Sequence, residues 1–336
     1  MVAVDGHIKV EPIVAGKLRR YHKLSILRQL LQVRTIVLPN LVDGFKLLVG
    51  TLQSVAKLLW WRPDVVFSKG GFVCLPVGIA ASLLRIPLVI HDSDAHPGLT
   101  SRILSRWAEV IATGAPLKHY NYPKEKSHYV GIPVAATAKP YTAARQRETK
   151  ERLGFSQHEP LLVITGGGLG ASSLNDAVVK VLDDLLGFTS VALVAGQANV
   201  DSLKEEVGKR PNLQIHGYLS PDSMQELLGA ADIVVSRAGA TTLLELAALA
   251  KPSIIVPNEQ LTGGHQVKNA AVYKAAKAIV VLEDERLRAE PLVLVDVVNA
   301  TLLNKDLMKK LSANIREFAK PDAAKDMAKL IVGAIR

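Results

Sequence analysis

Five short apolar runs in the second half of the chain limit the folds open to it: "LLVITGGG" (161–168), "SVALVAG" (190–196), "LQIHGY" (213–218), "DIVVSRAG" (232–239) and "PSIIVP" (252–257). Runs of this length, rich in Val, Ile and Leu and without polar alternation, are strands buried on both faces. The stretches between them have helical length, and alternating strands and helices build βαβ units around a parallel sheet. The first half repeats the pattern in "DVVFS" (64–68), "PLVIH" (87–91) and "EVIATG" (109–114), with helical stretches at 73–84 and 98–107. Residues 8–15 offer a candidate fourth strand. The fold class is α/β: two Rossmann-like domains with parallel sheets facing a cleft. A chain of 336 residues is too long for one ordinary core and suits two. The expected boundaries are 1–134, a Pro-, Ala- and Thr-rich linker at 135–146, and 147–336, which ends in two helices broken near Pro321.

One cysteine, Cys74, excludes an internal disulfide and fits a reducing compartment. The opening "MVAVDGHIKVEP" has no apolar core of a signal peptide. The longest apolar run, "FKLLVGTLQSVAKLLWW" (45–61), is broken by Lys46, Gln53, Ser54 and Lys57. It is shorter than the ~20 residues a crossing needs, so it reads as a surface or core helix. The net charge of +10 lies entirely in residues 1–140, with 18 Lys and Arg against 8 Asp and Glu; residues 141–336 are neutral. Such asymmetry fits an anionic partner of the first half, whether membrane, nucleic acid or polyphosphate, and equally a solubilising surface.

Several turns carry chemistry. "VITGGGLGASSLND" (163–176) is a strand running through Gly166, Gly167, Gly168 and Gly170 into a helix, a form that brings backbone N–H groups to an anion. Gly166, Gly168 and Ala171 fit a dinucleotide fingerprint, but the next strand ends "LVAGQ" without the acid that would hold an adenosine ribose. A nicotinamide cofactor is rejected on that ground. "SRAGATTLLELAA" places Gly239 and Ala240 at a strand's carboxyl end, with Thr241 and Glu245 on one helix face and Leu243, Leu246, Ala247 and Ala250 toward the core. Glu245 reads as the acceptor of two ribose hydroxyls, or as a solvated glutamate on an exposed face.

Downstream, His265, Gln266 and Asn269 of "NEQLTGGHQVKNA" are candidates to hydrogen-bond a sugar, or simply follow a glycine loop that opens a helix. "SKGGFV" is a second strand–glycine–helix turn, through Gly70 and Gly71. "HDSDAHPGLTSR" offers His91, Asp94 and His96 for acid–base work; capping of the next helix by Asp94 is the competing reading. Asp92 and Asp94 mimic a D-x-D metal motif without the further oxygen ligands a metal needs. "GKLRRYHKLSILRQLLQVR" (16–34) sets Leu24, Leu27, Leu30 and Leu31 beside Arg19, Arg20, Lys23, Arg28 and Arg34. This is the pattern of an interfacial helix on an anionic leaflet and also of ordinary core packing.

These motifs, in this order, resemble the MurG family, from about residue 8 to near the C-terminus. The resemblance is carried by "GKLRRY", "RPDVVFSKGGFV", "IPLVIHDSDAHPGLTSRIL", "VGIPV", "TGGGLGASSLND", "ADIVVSRAGATTLLELAALAKPSIIVP" and "GGHQVKNA". It implies the GT-B architecture and inverting transfer of N-acetylglucosamine from UDP-N-acetylglucosamine to the C4 hydroxyl of lipid I, the undecaprenyl-diphosphate-linked muramyl peptide, at the cytoplasmic face of the membrane. By the same resemblance the backbone of Leu219 meets uracil, Gly168, Ala240, Thr241, Thr242, Leu243 and Leu244 line the donor, Glu245 binds the ribose hydroxyls, and Gln266 contacts the sugar. Gly70, Gly71 and Asp94 belong with the acceptor, Asp94 and His91 are candidate catalytic groups, and Arg19, Arg20, Lys23, Leu24, Leu27 and Leu31 meet an anionic membrane surface. No metal, cofactor or nucleic acid is implied. The chain differs from the family in having Asp94 for Asn, Ala135 for Arg and Gly168-Leu169 for Ser-Gln. It is also expected to start after the family's first strand and glycine-rich loop.

Overall fold

A computed structural model of the protein describes residues 8–17, 35, 37–135, 137–167, 171–260 and 264–335. The chain forms two compact units, one of Met1–Asp92, Pro97–Tyr129 and Met327–Arg336, the other of Ser93–His96 and Val130–Asp326.

The first unit runs α1 (Leu38–Trp61), β1 (Val66–Ser68), α2 (Cys74–Leu83), β2 (Leu88–Asp92), α3 (Leu99–Leu104), β3 (Val110–Thr113) and β4 (Ser127–Tyr129). Its four strands are all parallel and pair in the order β1-β2-β3-β4. Leu88, Ile90, Leu104 and Ile111 form its core, and every residue of β2 is buried, as the unbroken apolar run requires. The fourth strand is β4, not residues 8–15, which are irregular. Pro12 has no N–H to give a ladder, and the Val14 N–H goes to the Gln53 side-chain oxygen of α1 at 3.0 Å. The apolar run 45–61 lies within α1, and no helix among the described residues is long and apolar enough to cross a membrane.

The second unit opens with α4 (Ala143–Arg152), whose N-cap Thr142 accepts the Arg145 N–H, so the expected linker is already helical before residue 146. There follow β5 (Leu161–Thr165), α5 (Ser172–Lys180), α6 (Leu182–Leu186), β6 (Ser190–Val194), α7 (Val200–Val207), β7 (Leu213–His216) and α8 (Pro221–Ala230). The chain continues through β8 (Ile233–Ser236), α9 (Ala240–Ala248), β9 (Ser253–Ile255), α10 (His265–Ala275), β10 (Val280–Val281), α11 (Asp284–Ala289), α12 (Val293–Leu303), α13 (Lys305–Arg316) and α14 (Ala323–Gly333). The sheet is parallel throughout, in the order β10-β9-β8-β5-β6-β7. Strands β5, β6 and β8 are buried along their whole length, while edge strand β7 is half-buried and tolerates Gln214 and His216. The five anticipated strands are all present; β10, two residues long, was too short to carry a periodic signal.

Candidate functional site

Because β5 sits centrally with β8 on one side and β6 on the other, the connections leaving it diverge, and the carboxyl edge of the sheet opens there. A cavity of about 440 Å³ occupies that edge. Thr165 and Gly167 line it after β5, Gly196 and Gln197 after β6, Gly217 to Leu219 after β7, and Thr242 and Glu245 from α9. Gly167 has φ +76°, a conformation costly for other residues, and a Cβ there would lie 3.5 Å from Thr242 Oγ1. The β5 turn therefore meets the first turn of α9 with its own backbone against the Thr242 side chain.

Helix α9 forms because its apolar residues recur on one face: Leu243, Leu246 and Ala247 enter the core, as expected. Leu244 is buried as well, so Leu243 and Leu244 can offer a ligand backbone groups but no side chain. The first helical bond runs from the Leu243 N–H to the Gly239 carbonyl at 3.0 Å. It leaves the N–H groups of Ala240, Thr241 and Thr242 without an intrahelical partner, and Gly239 supplies no side-chain cap. These N–H groups and the positive dipole end favour an anion.

Glu245 lies one turn further on, half-buried against the cavity, with no hydrogen bond to its carboxylate among the described residues. Burial holds its carboxyl above the ordinary carboxylate range. Glu245 is therefore not a fully solvated glutamate, although Thr241 on the same face is exposed.

Other expectations fare differently. Gln266 does not line this cavity; its side-chain carbonyl accepts the Asn258 N–H at 2.8 Å, which leaves its amide hydrogens to project elsewhere. Asn269 is corrected. It is 3% exposed, donates to Asp94 Oδ1 (2.9 Å) and the Ala238 carbonyl (3.1 Å), and accepts the Ala95 N–H (2.8 Å), so its amide is spent as a strut. Asp94 does not cap α3, whose N-cap Gly98 has no side-chain bond; its second oxygen lies 3.6 Å from His265 Nδ1. The two acids of the D-x-D stretch have separate partners. Asp92 accepts the Tyr122 hydroxyl while Asp94 turns to Asn269, and no cluster able to hold a metal occurs among the described residues. Burial, reinforced by Asp92, raises the Tyr122 phenol far above its ordinary range. His91, 1% exposed inside β2, presents no open face to a substrate, which counts against its acid–base role.

In the first unit Gly70 and Gly71 carry φ of +81° and +82° in the β1–α2 turn; Gly70 lies beside the His91 carbonyl and Ser101, while Gly71 faces open space. Gly168 and all of Arg19, Arg20, Lys23, Leu24, Leu27 and Leu31 lie outside the described residues. Sequence reasoning missed the wall that Pro133, Val134, Ala135 and Ala138 give the cavity, because a Pro- and Ala-rich stretch signals only a connection.

The glycosyltransferase family 28 N-terminal domain matches residues 3–113 and the glycosyltransferase family 28 C-terminal domain residues 161–327. The UDP-N-acetylglucosamine--N-acetylmuramyl-(pentapeptide) pyrophosphoryl-undecaprenol N-acetylglucosamine transferase of Clostridium botulinum (strain Kyoto / Type A2) is 32% identical over 306 residues, covering 91% of this chain and 76% of that protein. The transferase of the same name from Legionella pneumophila (strain Paris) is 34% identical over 300 residues, covering 88% and 75%. Among solved structures, Acinetobacter baumannii MurG aligns with a TM-score of 0.70 at 26% identity, over 87% of this chain and 79% of that one. The UDP-GlcNAc 2-epimerase of Neisseria meningitidis aligns at 0.62 over 85% and 82%, with 11% identity and thus likeness of fold alone. With both domain models matched in order and about a third of the aligned residues identical over three quarters of the relatives' length, the chain belongs to glycosyltransferase family 28, in its MurG branch of GT-B architecture.

Proposed function

We propose that this protein transfers N-acetylglucosamine from UDP-N-acetylglucosamine to the C4 hydroxyl of lipid I; the names of its relatives give the donor and an N-acetylmuramyl-(pentapeptide) pyrophosphoryl-undecaprenol acceptor. The observation that carries the reading is Glu245: a half-buried carboxylate without a partner among the described residues, one turn from an uncapped helix start. A carboxylate is a bidentate acceptor for two vicinal hydroxyls, and the helix start is an anion site, so ribose and diphosphate fit in that order. Leu219 borders the cavity where the base would lie, and its backbone meets uracil. Gln266, its carbonyl held by Asn258, turns its amide to the sugar hydroxyls.

In the reaction the C4 oxygen of the acceptor attacks the anomeric carbon from the face opposite UDP. The C1–O bond to the diphosphate breaks with inversion, and the acceptor proton passes to a base. Charge on the departing diphosphate is met by the N–H groups of Ala240, Thr241 and Thr242. Asp94, with 41% of its side chain exposed and one oxygen held by Asn269, is the candidate for the proton. Gly70 and Gly71 would face the acceptor's own diphosphate.

Helix α1 supports a peripheral position on an anionic membrane, at the cytoplasmic face. Leu38, Leu41, Phe45, Leu48, Leu52 and Leu59 form an exposed apolar stripe along it, with Phe45 67% and Leu52 63% exposed. Trp60 and Trp61 end the helix beneath Lys9, whose ammonium lies 4.9 and 5.2 Å from their ring centres. Aromatic and basic residues at the margin of an apolar stripe suit a lipid headgroup layer.

Titration calorimetry of UDP-N-acetylglucosamine tests the donor assignment. Glu245→Ala is expected to weaken binding by roughly 10- to 100-fold, since hydrogen bonds to a charged group contribute about 1.5–3 kcal/mol. Equal affinity in a variant with an unchanged melting curve would remove the ribose role.

A further inference from the structure

The β8–α9 turn holds a second charge that ligand contact does not explain. Arg237, the residue after β8, is 3% exposed, and its guanidinium points away from the cavity into the sheet edge. One terminal nitrogen donates to Asp284 Oδ1 at 2.6 Å and to the Val256 carbonyl at 3.1 Å. The other donates to Ser173 Oγ at 2.6 Å. Its Nε has no hydrogen-bond partner among the described residues. These contacts belong to four separate connections at one edge of the sheet: Ser173 in the first turn of α5, Arg237 between β8 and α9, Val256 just past β9, and Asp284 at the start of α11.

A buried ion pair is a poor source of stability, since desolvation offsets its attraction and an apolar replacement is often neutral or better. What it does supply is a fixed arrangement of the segments it joins. Two of the joined segments, the β5–α5 and β8–α9 connections, flank the cavity: the Arg237 N–H reaches the Thr165 carbonyl at 3.4 Å, and Gly167 abuts Thr242.

We infer that Arg237 is a positioning residue, which locks the β8–α9 turn to the first turn of α5 through Ser173 and so sets the spacing of the two turns that enclose a nucleoside diphosphate. This rests on the donor assignment above. The guanidinium does not touch the ligand; it acts through the backbone it ties down. Misplacement of a turn by about 1 Å is enough to cost on the order of 100-fold in turnover.

Ser173 makes the claim testable without dismantling the core. In Ser173→Ala the buried ion pair with Asp284 persists, so the melting temperature stays close to the parent's, while UDP affinity by calorimetry is expected to fall about tenfold or more if the turns lose register. Ser173→Thr, which restores the hydroxyl, is expected to recover it. Hydrogen exchange on the unliganded protein adds a readout independent of the donor: Ser173→Ala should speed exchange at residues 171–176 and leave α13 unchanged. Parent-like UDP affinity together with parent-like exchange would overturn the positioning role. A parent protein that binds no UDP, with exchange still accelerated in Ser173→Ala, would instead refute the donor assignment while leaving the clamp standing. Arg237→Lys, which keeps charge but loses the fork, is expected to lower turnover more than it raises KM; a change in stability alone would count against the proposal.

Discussion

Helices α1 and α9 are both rich in leucine, yet they face opposite ways. In α9 the leucines enter the core and the lone acid, Glu245, is left at the cavity. In α1 the buried positions are Asp43, Gly50, Thr51, Ser54 and Leu58, and most of the large apolar side chains point outward. The inversion is tolerated because the buried hydroxyls bond within the helix: Thr51 to the Leu47 carbonyl at 2.8 Å and Ser54 to the Gly50 carbonyl at 2.7 Å. Gly50 admits the chain itself, since a Cβ there would lie 1.9 Å from the Val14 carbonyl oxygen. Periodicity thus establishes that a helix has two faces, but the neighbours decide which one is inside.

Paired truncations break or sharpen this contrast most directly. Leu246→Ala, in the core face of α9, is expected to cost about 2–5 kcal/mol in urea unfolding, whereas Leu52→Ala on α1 should stay within about 0.5 kcal/mol. Comparable losses at the two sites would mean that the α1 stripe is covered. Next in size is a surface effect. Replacing Leu41, Phe45 and Leu52 together by serine should reduce co-sedimentation with anionic vesicles by roughly tenfold or more, because each buried apolar side chain contributes about 1.5–3 kcal/mol. Undiminished sedimentation would detach α1 from the membrane reading.

The smallest effect concerns pH. Glu245 has its folded carboxyl raised above 4.5 by burial, so the folded state holds its proton longer than the unfolded chain does. Stability of the ligand-free protein is therefore undiminished below pH 4.5 and falls as pH rises through the folded value. Glu245→Gln should melt slightly higher than the parent at pH 7 and match it near pH 4. A gap of constant size across that range would mean that the carboxylate is not desolvated.

Much of the second unit was legible in the sequence. Continuous Val, Ile and Leu runs such as 161–165 and 233–236, short and β-branched with glycines after them, read as strands buried on both faces, and those glycines mark the edge where Gly167 and Thr242 meet. Glu245 stood out because it interrupts an otherwise apolar helix. Asn269 looked like a ligand and is a strut, since hydrogen-bonding capacity is the same whether it is spent on sugar or on Asp94 and Ala238. Strand β4 escaped notice because "SHY" has no apolar run, and it forms only because β3 offers it a ladder.

Local pattern, which depends on near neighbours alone, determined most of the elements and the anion-seeking start of α9, and their alternation implied the parallel pairing. Tertiary structure alone decided three things: that α1 turns its leucines outward, that Pro133 to Ala138 wall the cavity, and that Arg237 meets Ser173, Val256 and Asp284. Each of these depends on residues far apart in the chain, whose approach is set by the packing of whole elements and leaves no trace in the spacing of side chains along any one of them.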